Sequence, residues 1–166
     1  MTKHLGHLIG IAVACAMAAS AASAYTFTSR EGKFTAEFPA APTLEKTQHK
    51  TNSGTSYDQY TWSTENKDGW WGVAMIIYSK PMVKDYDVHT QGAVDATKGT
   101  LRSQKTIQQS GAQGREIIID LPQSGVVRQR LLWVDNRFYQ MVFSGGPGTG
   151  TTPNVDAFLD SFQTVK

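Results

Sequence analysis

Four strand-like segments follow one another almost without interruption in the second half of the chain, at residues 105–109, 114–121, 126–134 and 137–144. The turns between them are short, at Ser110-Gly111, Gln123-Ser124-Gly125 and Asp135-Asn136. They consist of residues that accept tight or left-handed backbone. A parallel crossover needs roughly a dozen residues or more, so these segments are expected to pair as antiparallel neighbours.

The first half carries further strand signals. Lys33-Phe34-Thr35-Ala36-Glu37-Phe38 alternates polar and apolar residues, and Pro39 and Pro42 stop it, since proline cannot donate to a ladder. Residues 44–50 predict a polar, exposed strand, with Asn52-Ser53-Gly54 as the hairpin turn that follows. In 57–63, Tyr60 and Trp62 share a face, and beyond the turn Asn66-Lys67-Asp68-Gly69 the apolar run 70–78 predicts a central strand. Pro81 breaks that run. Residues 85–102 hold Val88, Val94, Thr97 and Leu101 at helical spacing, in a helix weakened by Gly92 and Gly99. After a Gly/Thr-rich connector at 145–153, Asn154 is the expected cap of a last helix with Val155, Phe158, Leu159 and Phe162 on one stripe. The order β-β-β-β-α-β-β-β-β-α predicts an α+β fold, a central antiparallel sheet flanked by helices in a single domain over 25–166.

Residues 1–24 have the pattern of a cleaved secretory signal: Lys3, an apolar stretch from about Leu8 to Met17, and Ala22-Ser23-Ala24 before Tyr25. The apolar stretch falls short of the ~20 residues that span a bilayer. A competing route is lipidation at Cys15, which follows Ala12-Val13-Ala14, although alanine stands where such signals usually carry leucine. Cleavage after Ala24 removes Cys15, the one cysteine of the 166 residues, and leaves 142 residues without thiol chemistry or disulfides. Lys3 is the only charged residue removed, so 15 Lys+Arg face 14 Asp+Glu, a net charge of +1. That balance argues against nucleic acid and against an anionic membrane as partners.

Several stretches resemble a known family. Arg30-Glu31-Gly32-Lys33-Phe34-Thr35-Ala36-Glu37-Phe38-Pro39 is similar to the "GKFxxxFP" opening of small exported bacterial proteins with a PsbP-like fold. Gly114-Arg115-Glu116, the hairpin Leu132 to Gln140 and the helix Phe158-Leu159-Asp160-Ser161-Phe162 resemble later parts of the same pattern. The resemblance implies an α/β/α sandwich. Plant members assist photosystem II and related eukaryotic members bind a transport GTPase, but the matched positions are structural, and a shared fold does not establish a shared role.

The groups able to carry chemistry are few. Asp85-x-Asp87-x-His89 is a candidate divalent-metal site, with two carboxylates and an imidazole on alternate residues. The competing reading is that aspartates ahead of a helix satisfy its free N–H groups and complement its dipole. With only His49 and His89 after the signal, and no G-x-S-x-G around any serine, a Ser-His-Asp hydrolase has no supporting motif. Gly145 to Gly150 lacks the Lys-Ser/Thr of a nucleotide loop and reads as a connector. Arg128, Arg130 and Arg137, with Arg115 nearby, are candidates for an exterior anion or partner surface. Trp62, Trp70 and Trp71 are candidates for an aromatic one, against the alternatives of a neutralised sheet face and of sheet core.

These readings favour a periplasmic or secreted, non-enzymatic accessory or binding protein without a cofactor, whose partner is an envelope protein or a small ligand. The alternatives are a metal-assisted hydrolase at Asp85, Asp87 and His89, and an envelope lipoprotein tethered through Cys15.

Overall fold

The structure, a computed structural model, describes residues 24–50, 54, 56–78 and 84–165. Residues 1–23 of the signal, Cys15 among them, the turn at Asn52-Ser53 and Pro81 lie outside the described residues. A seven-stranded antiparallel sheet organises the fold. Its strands are β3 (Thr43–Lys50), β4 (Ser56–Asn66), β5 (Gly69–Ile77), β6 (Thr100–Gln109), β7 (Ala112–Asp120), β8 (Val126–Val134) and β9 (Arg137–Gly145), in the order β3-β4-β5-β9-β8-β7-β6. Two meanders therefore meet at β5 and β9. The chain passes from β5 to the far edge strand β6 through helix α1 (Tyr86–Thr97).

Strand parity divides the sheet's side chains between two cores. On one face α1 lies over Ile76, Ile117, Ile119, Val127, Leu131, Trp133 and Phe138. The other face, carrying Trp62, Trp71, Val73, Met75, Leu132, Tyr139, Met141 and Phe143, is covered by helix α2 (Pro153–Ser161) and a second sheet. That sheet has three strands, β1 (Tyr25–Ser29), β2 (Phe34–Phe38) and β10 (Gln163–Thr164), in the order β1-β2-β10. Helices flank the central sheet only in part, because this covering layer is itself half strand.

Several expectations need correction. The first helix ends at Thr97, and 98–102 is not helical. Lys98 turns left-handed with φ 52°, and the Lys98 and Gly99 N–H groups donate to Asp95 and Val94 carbonyls. Gly99 is required because a Cβ there would collide with Ile119, so β6 starts at Thr100 rather than at 105. The last helix is capped by Thr152, not Asn154. Pro153 occupies its first turn, where a missing N–H costs nothing. Strands β1 and β10 carry no strong sequence signal; both are defined by pairing with β2, Thr26 opposite Glu37 and Gln163 opposite Thr35.

Arg128 and Arg130 are not on the exterior. Their strand packs beneath α2, and both guanidinium groups converge on Glu116, a carboxylate only 3% exposed. Arg128 Nη2 donates at 3.1 Å and Arg130 Nε at 2.7 Å, while Lys105 Nζ closes from the edge at 3.0 Å. The same two arginines reach into α2, Arg128 to Asp156 at 2.6 Å and Arg130 to Asp160 at 2.7 Å. Arg130 also donates to Gln109, whose amide in turn donates to the Leu159 and Phe162 carbonyls at the end of the helix. Three cations and three anions thus bind one helix to one sheet with little net charge.

Burial alone would raise the Glu116 carboxyl, but Arg130, Lys105 and Arg128 outweigh it and bring its pKa down to about 2 from 4.5. A depressed carboxyl contributes stability above its unfolded value and loses it as pH falls. Denaturant titrations are expected to lose on the order of 3 kcal/mol between about pH 4.5 and pH 2. Glu116→Gln, which leaves two buried guanidinium groups short of an anion, is expected to cost about 3–5 kcal/mol at pH 7 and to abolish most of that acid transition.

Candidate functional site

The β4–β5 turn is built around one side-chain oxygen. Asn66 Oδ1 accepts from Asp68 N at 3.0 Å, Gly69 N at 3.3 Å and the Trp71 indole Nε1 at 3.1 Å. This local arrangement follows from asparagine's ability to mimic a backbone carbonyl two residues before the bend. It also pins the Trp71 ring, which is wedged between Phe143 (centroids 4.6 Å) and Phe158 (5.6 Å, edge-on).

A glycine pair lets the neighbouring loop approach. Gly69 lies opposite Gly145 across β5 and β9. A Cβ on Gly145 would sit 2.8 Å from the Asp68 carbonyl and 2.5 Å from Thr149 Oγ1. Gly69 has φ 150°, and a Cβ there would strike the Ser144 carbonyl. The connector then forms a 3-10 turn at Thr149–Thr151 and delivers the chain into α2. Its Gly/Thr composition serves this close approach.

Between these parts the surface opens into a cleft of two adjoining cavities. One, of about 90 Å³, is walled by Phe38, Pro39, Trp71, Ala157 and Phe158, with Glu37, Asn66, Asp68 and Asn154 around it and Ala24 at its edge. The other, of about 110 Å³, lies between Asp68, Trp71, Phe143, Thr149, Thr152 and Asn154. Asp68, Trp71 and Asn154 belong to both. The floor is aromatic and the rim polar, the usual composition of a small-ligand site. Among the lining residues the ionisable ones are Glu37 and Asp68, both acids. Lys67 approaches Asp68 at 3.7 Å, but its side chain is 90% exposed and such a pair is weak.

The residues singled out from sequence do not form one surface. Trp62 and Trp71 are 3% and 2% exposed, so they are core and not an exposed aromatic patch, although Trp71 floors the cleft. Trp70 points to the opposite face, its ring against Gly72, where a Cβ would overlap it. Arg128 and Arg130 are committed to Glu116 and α2. Arg137 stands apart at the far end of β9, opposite Val134 and Ile77.

The proposed metal ligands also diverge. Asp85 caps α1, accepting from Asp87 N at 2.9 Å and Val88 N at 3.2 Å. Asp87 pairs with Arg115. His89 stacks on Phe138 with ring centroids 4.0 Å apart and lies 5.7 Å from Trp133. No three His, Cys, Asp or Glu side chains converge among the described residues. The alternating spacing suited an extended segment, but the chain is helical from Tyr86, which points these side chains in different directions.

As the lining of a cleft, Asn66, Asp68, Asn154 and Ala157 carry no local sequence signal. Asn66-Lys67-Asp68-Gly69 signalled a turn, and nothing local tells that a helix more than eighty residues later will face it.

Two outcomes follow. Asn66→Ala strands the buried Trp71 N–H and is expected to cost about 1–3 kcal/mol in denaturant melts, with a displaced indole proton resonance. Burial holds the His89 pKa below its ordinary 6.5, with Asp85 opposing the shift. Stability from neutral His89 is therefore present above pH 6.5 and lost as pH falls below it. Protection factors of the α1 amides, taken relative to intrinsic exchange at each pH, are expected to fall on acidification through that range, and His89→Phe to remove the change.

No protein-family profile matches the chain, and no curated protein matches it. Among solved structures it is similar to the solution structure of cyanobacterial PsbP (CyanoP) from Synechocystis sp. PCC 6803, with a TM-score of 0.55 and 12% identity over 96% of this chain and 98% of that one. The chain has the PsbP-like fold.

Proposed function

We propose that the protein is an exported, non-enzymatic binding or accessory protein of the cell envelope, and that the cleft between the β4–β5 turn and α2 is its binding site. The observation that carries the reading is the cleft itself: an aromatic floor under a polar rim, assembled by two glycines that remove obstructing side chains and held in shape by Asn66. Export is supported by the signal pattern of residues 1–24. A binding role in place of catalysis is supported by the employment of the chain's best-placed charged groups. Glu116, Arg128 and Arg130 partner one another, Asp85 caps a helix and Asp87 is ion-paired. The cleft offers two acids and an aromatic surface without a nucleophile-base pair, which suits recognition.

Native mass spectrometry of the protein gently extracted from its own cells tests the reading. The expected result is a chain beginning at Tyr25 that carries a reproducible added mass, reduced in an Ala157→Trp variant whose new side chain fills the cleft. A bare chain, or an added mass indifferent to Ala157→Trp, would remove the cleft as the binding site.

A further inference from the structure

We propose that the edge strand β3 is a self-association surface, on which a second copy of this chain lays its own β3 antiparallel about a two-fold axis centred on Thr47, so that two seven-stranded sheets become one. Nothing in this depends on the cleft. β3 is the outermost strand on its side of the sheet, and among the described residues its backbone pairs with no element but β4. An edge of this kind is a template for another strand.

Proteins blunt such edges with bulges, prolines or outward-pointing lysines. The opposite edge strand, β6, is interrupted by a bulge between Leu101 and Ser103. β3 has no such break: its register with β4 runs from Thr43 opposite Ser63 to Lys50 opposite Ser56, and Pro42 stands outside it. Lys46, the lysine at its middle, does not guard the edge either. Its ammonium is drawn back across β4, 2.8 Å from Asp58 and 5.0 Å from the centre of the Tyr60 ring.

Charge complementarity names the partner and the register. A two-fold axis normal to the sheet puts the same face of both copies on the same side, so each residue is opposed by one of equal parity. Centring on Glu45 sets two glutamates against each other, centring on Lys46 sets two lysines, and centring on Gln48 sets Lys46 against Lys50 twice. Like charges directly opposed destabilise a sheet. Centring on Thr47 opposes none: Glu45 meets His49 on either side of the axis, Lys46 meets Gln48, and Leu44 meets Lys50. Leu44, 48% exposed in the single copy, then lies beneath the aliphatic stem of the opposing Lys50. The strand is thus complementary to itself in this register and repelled by its own charges in the other three.

Sedimentation equilibrium of the protein, purified as its own cells process it, tests the proposal. The chain is expected to dimerise reversibly. His49→Glu, which opposes Glu45 with a second acid, is expected to weaken the dimer at least about tenfold, and Glu45→Lys combined with His49→Glu to restore it by setting opposite charges across the axis again. A second measurement does not depend on that exchange: Thr47→Cys, which puts a thiol against its own copy, is expected to oxidise to a covalent dimer far faster than Gln48→Cys. A monomer at the highest attainable concentration, a dimer indifferent to His49→Glu, or disulfide formation no faster from position 47 than from position 48 would each overturn the assignment.

Discussion

The Glu116 carboxylate is the point on which the arrangement of α2 depends. Buried charge is expensive to desolvate, and a buried ion pair repays that cost only when its partners are complete and well aligned. Here the carboxylate receives three cations, and the two arginines that bind it extend to acids on the helix. Gln109 then closes the far end of α2 by donating to its terminal carbonyls. The apolar stripe Val155, Phe158, Leu159 and Phe162 supplies adhesion, but adhesion is non-directional. The ionic contacts determine which way along the sheet the helix runs, and so where Asn154, Ala157 and Phe158 stand relative to the β4–β5 turn.

That placement connects packing to function. The cleft has one wall on a turn held by a single asparagine oxygen and another on a helix held by a buried ionic cluster. Neither wall has a preferred position relative to the other in a short segment of the chain. Acid would weaken the two faces of the sheet in different ranges: loss of neutral His89 loosens α1 on one side as pH falls below the ordinary imidazole value of 6.5, while Glu116 keeps α2 in place on the other until lower pH. The cleft side is thus the more acid-resistant one.

Much of the architecture was legible because it is local. Period-two alternation in Phe34 to Phe38, short turns at Ser110-Gly111 and Asp135-Asn136, and the stripe on the last helix each depend on neighbours a few residues away. What escaped depends on contacts distant in sequence. Parity placed Arg128 and Arg130 on one face, but it could not show that α2 would cover that face. Parity put one of Trp70 and Trp71 in the core without telling which, because the pairing of Trp71 with Asn66 is seen only once the turn closes. Asp85-x-Asp87-x-His89 admits two local readings, ligands on an extended segment or aspartates ahead of a helix; the helix that begins at Tyr86 selects the second and makes Asp85 its cap. The cleft was invisible for the same reason, since Phe38, Asn66 and Ala157 meet only in three dimensions.

The central claim is that the cleft beside α2 is where the protein meets its ligand or partner. A photo-crosslinking residue placed at Asn154, on the rim, and separately at Thr106, exposed on the distant edge strand β6, tests this in the cells that make the protein. The account predicts a discrete adduct from position 154 that is absent from position 106 and is lost when Ala157 becomes tryptophan. The same adducts from both positions, or an adduct from 154 that survives the filled cleft, would contradict it.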